Sequence, residues 1–294
     1  MSRNVINLLG VAAILTVITA CVCNPGKNTN NSGGGASPSP SASPSASPES
    51  TKSRNASENE DKGNFVVEHV DVQDPAYEKI DAAIRKNRIL EDAADDLNSA
   101  LSLPRDITLR SKDCGEPNAF YNPDDVSVTM CYELMDHFFE TFLKSGLSED
   151  EAFQQMFAAT KFVFLHELGH ALIDQYQLPI TANQEDAADR CSAFINIEEL
   201  GDDGVKSVLA AADAFRLESK DGGKISGGEL ADEHLLSEQR FFNALCMLYG
   251  SNPDKFSNIV TKGYLPKARA VRCPNEYQLN ADAWSKLLKP WRKK

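Results

Sequence analysis

The chain has 294 residues, which allows one large domain or two small ones with tails, and 41% of them are apolar, enough for a sizeable core. Its formal net charge of −13 argues against a nucleic-acid binder, because phosphate contacts need clustered Lys and Arg. An acidic surface of this kind serves solubility before it serves any specific partner.

The first residues bear on the compartment. One positive charge, Arg3, precedes an apolar run over 5–20 that only Asn7, Gly10 and two Thr interrupt, the shape of a secretory signal peptide. The run ends in Ile18-Thr19-Ala20-Cys21, which resembles a bacterial lipobox. That resemblance implies removal of residues 1–20, a lipid on Cys21 and a chain held to a membrane of the cell envelope. An ordinary cut after Ala20 or an uncleaved anchor helix is the plainer alternative. Val22 is not the Asp of inner-membrane retention, so an outer membrane is allowed. Residues 21–64 run through Gly33-Gly34-Gly35 and a Ser-Pro-Ala repeat, and predict an extended, solvated tether with nothing to bury.

The expected folded domain covers 65–294. A Val-rich stretch predicts a strand over 65–72. Apolar Ile80, Ala83, Ile84, Ile89, Leu90 and Ala94 predict a helix over 77–101. A short strand follows over 107–109. Residues 118–121 and 126–131 predict a hairpin about Asn122-Pro123-Asp124-Asp125. From Glu133 onward the pattern is mainly helical, and strands followed by helices give an α+β class. Of the seven Cys, Cys114 and Cys131 bracket the hairpin, and Cys246 and Cys273 bracket a later loop. Each pair is placed to staple its segment, although connectivity does not follow from sequence. Cys191, on an apolar helix, is expected as a buried thiol.

A helix opens at the capping box Ser148-Glu149-Asp150-Glu151 and carries apolar residues around nearly its whole circumference, so it should be buried. Within it stand His166-Glu167-Leu168-Gly169-His170. Two His at i and i+4 share one face about 6 Å apart, so both can reach one zinc ion while Glu167 stands beside the water. A buried His pair and Glu are costly without a partner, and a metal accounts for all three. The metzincin pattern fails, because Ile173 and Tyr176 occupy the positions of its Gly and third His. After Pro179 a second helix start, with Thr181 to Gln184 as a capping box, leads into Glu185-Asp186-Ala187-Ala188-Asp189. Glu185 can supply the third ligand, and Asp189, one turn on, can hold the far nitrogen of a ligand His.

The His-Glu-x-x-His helix followed by Glu-x-x-x-Asp resembles the gluzincin metallopeptidases, the class of thermolysin. Asn118-Ala119-Phe120-Tyr121 resembles the edge strand with which those enzymes hold a peptide. The resemblance implies a zincin-like fold, with a small N-terminal sheet whose edge strand packs on the active-site helix, and one zinc ion. It also implies Glu167 as the catalytic base and Asn118 and Ala119 as substrate contacts. His234, on a polar stretch before the apolar run 241–249, stands where gluzincins place a donor to the oxyanion, and Arg240 is the fallback. More closely, 65–294 is similar to a bacterial family of predicted metallopeptidases with no known substrate. The runs Cys114-Gly115, Asn118 to Tyr121, Cys131-Tyr132-Glu133 and Asp232-Glu233-His234 carry that similarity. The function expected is zinc-dependent peptide hydrolysis by a membrane-tethered, exported enzyme acting on a peptide or protein. The alternatives are a zinc-bearing, non-catalytic peptide-binding lipoprotein and a structural zinc site. The presence of Glu167 speaks against the first, and the lack of a fourth ligand against the second.

Overall fold

The computed structural model describes residues 61–181, 183–221 and 227–293. The expected signal peptide, Cys21, Cys23 and the tether up to residue 60 lie outside the described residues. The strands are β1 (Phe65–His69), β2 (Ile107–Lys112), β3 (Ala119–Asn122) and β4 (Ser127–Cys131). Between β1 and β2 lie α1 (Glu78–Lys86) and α2 (Ile89–Ala100). After β4 come α3 (Tyr132–Lys144), α4 (Glu149–Gln175), α5 (Gln184–Glu198), α6 (Gly201–Asp221) and α7 (Gly227–Ala231). The chain continues through α8 (Ser237–Ser251), α9 (Ser257–Thr261), α10 (Lys267–Ala270) and α11 (Cys273–Leu288). The class is α+β, and no helix among the described residues is long and apolar enough to cross a membrane.

The sheet order is β1-β2-β4-β3. β1, β2 and β4 run parallel, and β3 closes one edge antiparallel to β4. β4 is buried along its whole length because both its faces are covered. Val128 points into the core beneath α4, and Met130 into a second apolar cluster with α1 and α3.

Local chemistry adjusts several boundaries. The single helix expected over 77–101 is two helices. Asn87 donates its amide to the Ala83 carbonyl and so ends α1, and Arg88 then takes a left-handed φ of 52°. β2 runs three residues past Leu109, and β1 stops at His69 rather than 72. Val126 is not the first residue of β4. It sits at φ 53° in the turn, a costly conformation for a β-branched residue, and its carbonyl accepts from Thr108 N–H. Pairing already begins ahead of Phe65, where Lys62 and Gly63 donate to the Leu103 carbonyl.

α4 is the axis of the domain. Ser148 and Glu151 form the reciprocal capping box at its start, worth about 1 kcal/mol, and three acids in the first turn face the helix dipole. It ends at Gln175, capped by Tyr176 and followed by Gln177 at φ 49°. Disulfides join Cys114 to Cys131 and Cys246 to Cys273. Closing loops of 17 and 27 residues contributes about 3–4 kcal/mol each in the chain-entropy account. Cys191 is a buried free thiol. At the far end, Trp291 stacks on Tyr176 with ring centres 4.0 Å apart, and Lys293 reaches Asp61 at 2.7 Å.

Candidate metal centre

The site forms where α4 and α5 cross. The crossing is close because Gly169 has no side chain. A Cβ there would lie 3.1 Å from Cys191 Cβ and 3.2 Å from Ala188 Cα. Gly169 therefore sets the spacing between the two imidazoles of α4 and the carboxylates of α5, and buried Cys191 completes that packing. Asn183, rather than Thr181, caps α5. Its side-chain oxygen accepts from Glu185 N–H, and its amide donates to the Glu233 carbonyl. One residue thus fixes both the start of α5 and the loop that carries His234.

Three side-chain atoms converge. His166 Nε2 lies 3.0 Å from Glu185 Oε2, His170 Nε2 lies 3.3 Å from the same oxygen, and the two Nε2 atoms are 3.1 Å apart. Ligands at about 2.0–2.1 Å around a tetrahedral ion are about 3.3 Å from one another, so this donor set fits a single small cation. Two imidazole nitrogens facing each other at hydrogen-bond distance beside a carboxylate are a poor hydrogen-bonding arrangement and a good coordinating one. The charges agree. Burial disfavours the charged form of Glu185, yet hydrogen bonds from His166, His170 and His234 outweigh it and hold the carboxyl far below its usual range. Burial also opposes protonation of His166, but Asp189 and Glu185 take that imidazole up to about 9. The cluster draws positive charge to itself.

His166 Nδ1 faces Asp189 Oδ1 at 2.8 Å, which fixes the ring with Nε2 toward the cluster. Glu167 is 7% exposed, and burial raises its pKa. Its Oε2 accepts the backbone N–H of Tyr121 at 2.9 Å, which ties the helix to the edge strand. His234 Nε2 lies 3.0 Å from Glu185 Oε2, its Nδ1 lies 3.1 Å from Asp232, and its ring stacks 6.2 Å from that of His166. Glu185, ahead of the opposing effect of burial, raises the His234 pKa.

Of the residues singled out in the sequence, His166, Glu167, His170, Glu185, Asp189 and His234 come together here. Asn118 and Ala119 lie three and two residues before the Tyr121 amide that meets Glu167. The Asn118 carbonyl accepts from Cys131 N–H, so it faces β4, and by strand alternation Ala119 and Tyr121 face away from it. Arg240, the fallback oxyanion donor, is paired with a carboxylate. Its Nε and Nη2 both bond Asp189, at 2.9 and 2.8 Å. Tyr121 was not singled out in the sequence for this role; its place two residues after Ala119 in a period-2 strand was the available signal. Phe215, under Arg240, had none, since it looks like any apolar residue of α6. A second metal-competent group, Cys114, Cys131 and Glu133, is already spent: the thiols are joined, and Glu133 accepts from Cys114 and Gly115 N–H.

Residues 69–288 match a protein family described as "Putative metallopeptidase". Neither the curated proteins nor the solved structures contain a match.

Proposed function

This chain belongs to the family described as "Putative metallopeptidase", and from that premise we propose that it hydrolyses peptide bonds with one zinc ion held by His166, His170 and Glu185, in the manner of gluzincins. The observation that carries the reading is the convergence of those three atoms at 3.0–3.3 Å beside a buried Glu167. Two imidazoles and a carboxylate are a catalytic zinc set with a position left for water. When bound, the ion supplies Lewis acidity to the scissile carbonyl and acidifies water.

The chain's own residues do the rest. The Ala119 and Tyr121 carbonyls turn away from β4 and accept from an extended peptide added along β3 as a further strand, while their N–H groups are held by Asn118 Oδ1 and Glu167 Oε2. Glu167, oriented by the Tyr121 amide, takes a proton from the attacking water and returns it to the leaving amine. Asp189 keeps His166 in the ligating tautomer. His234 donates to the oxyanion of the tetrahedral intermediate, with Asp232 fixing its ring.

Digestion of a mixed peptide library tests this. The purified chain should carry one zinc equivalent, lose cleavage to a chelator and regain it with zinc. His234→Ala should keep the metal and lose about 10²–10³-fold in turnover. Cleavage that survives complete metal removal would sink the reading. One zinc equivalent with no cleavage of any peptide would leave a peptide-binding module.

The proposal extends to a lipid on Cys21 that holds the domain outside the cytoplasm. Two disulfides in a chain of this size support an oxidising compartment. Intact-mass measurement of the mature protein should find Cys21 as the first residue carrying an acylated glyceryl group. An unmodified Cys21 would overturn the lipid anchor.

A further inference from the structure

Asp189 is gripped from two sides. Its Oδ1 faces His166 Nδ1 at 2.8 Å, and the same oxygen accepts from Arg240 Nη2 at 2.8 Å while Oδ2 accepts from Arg240 Nε at 2.9 Å. The Arg240 guanidinium carbon lies 4.2 Å from the centre of the Phe215 ring. Both partners are sheltered, with 16% of the Arg240 side chain and 15% of Asp189 exposed. The chain of contacts takes one group from each of four helices: His166 from α4, Asp189 from α5, Phe215 from α6 and Arg240 from α8.

A carboxylate that meets only one imidazole can still turn about its Cβ–Cγ bond and let the ring swing. A two-pronged guanidinium in the carboxylate plane removes that freedom, and an aromatic face beneath the guanidinium fixes the plane of the fork. We propose that Arg240 is a positioning residue for the metal ligand His166, acting through Asp189, with Phe215 holding the guanidinium in the required plane. This rests on His166 being a ligand. It gives α8 a part in metal retention although α8 offers no ligand, and it makes the hold on the ion depend on the docking of α6 and α8.

A salt bridge that merely packs helices would lower the melting temperature of a variant without loosening the metal in molecules that stay folded. The test therefore uses the full chain loaded with zinc and reads the equilibrium affinity by chelator competition and the dissociation rate by chelator capture, with melting temperature alongside. Arg240→Lys keeps the charge and loses the fork. It should bind zinc 10–100-fold more weakly. Asp189→Asn should lose a similar factor, and Arg240→Lys in the Asp189→Asn background should lose no more than about twofold beyond Asp189→Asn alone, as expected when one residue acts through the other. Should Arg240→Lys fail to fold, Arg240→Gln in the Asp189→Asn background, which removes both charges of the pair, replaces it, with zinc affinity expected within about twofold of Asp189→Asn alone and a larger further loss overturning the proposal. A folded Arg240→Lys with a lower melting temperature and wild-type zinc affinity overturns the proposal, as do losses that multiply in the double variant. A wild-type chain that takes up no zinc sinks the ligand reading, and the proposal with it.

Discussion

Replacing Glu167 with Gln should leave the metal and the fold in place and lower peptide turnover by about 10²- to 10⁴-fold, the usual contribution of a positioned proton-transfer group. Gln has the same shape, and its carbonyl oxygen can still accept the Tyr121 amide, so the link between α4 and β3 survives. What it lacks is a site for the water's proton. The change should not weaken the domain. Burial raises the Glu167 pKa on folding. A carboxyl shifted that way costs stability above its unfolded value, so a neutral amide should hold or raise the melting temperature of the metal-free protein at neutral pH. Turnover within twofold of the wild type, with metal content equal, would remove Glu167 from the reaction.

Glu185→Ala should do the opposite and strip the metal while leaving Glu167 untouched. Loss of one of three ligands should cost more than the roughly 100-fold that loss of a supporting partner can cost, measured by chelator competition. The metal-free protein should suffer as well. The Glu185 carboxyl is held below its usual range because three imidazoles outweigh the opposing effect of burial. A carboxyl shifted down contributes stability that is present above its unfolded pKa and lost as the pH falls through the folded one. At neutral pH the metal-free wild type should therefore melt above Glu185→Ala, with the gap closing in strong acid. Full zinc occupancy in the variant would mean that the third ligand lies elsewhere.

The candidate site was legible where its logic is local. His166 and His170 share a face through the helical period. Glu185 and Asp189 repeat that spacing on the next helix, and Ser148 and Glu151 announce the start of α4 in four residues. The parallel pairing of β1, β2 and β4 was not legible, because strands that pair across crossovers carry no local mark of their neighbours. The break at Arg88 was missed because the apolar stripe continues on both sides of it, and only the backbone of one residue changes course. Arg240 illustrates the difference between proximity and availability. Its sequence position six residues after His234 made it a fallback donor, and the phase of α8 turns its Nε and Nη2 onto Asp189.

The closure of the chain on itself has a practical consequence. Ser102 N–H donates to the Trp291 carbonyl, Lys293 N–H donates to the Ala100 carbonyl, and the Lys293 ammonium meets Asp61. The two ends of the described domain therefore emerge side by side, on backbone that is already hydrogen-bonded. A few-residue linker from 293 to 61 would join them without crossing the domain. New termini could then be opened in an exposed connection such as residues 252–255, between α8 and α9, giving a circular permutant in which α9, α10 and α11 precede the sheet while the metal centre, built wholly from 166–240, stays on one uninterrupted stretch.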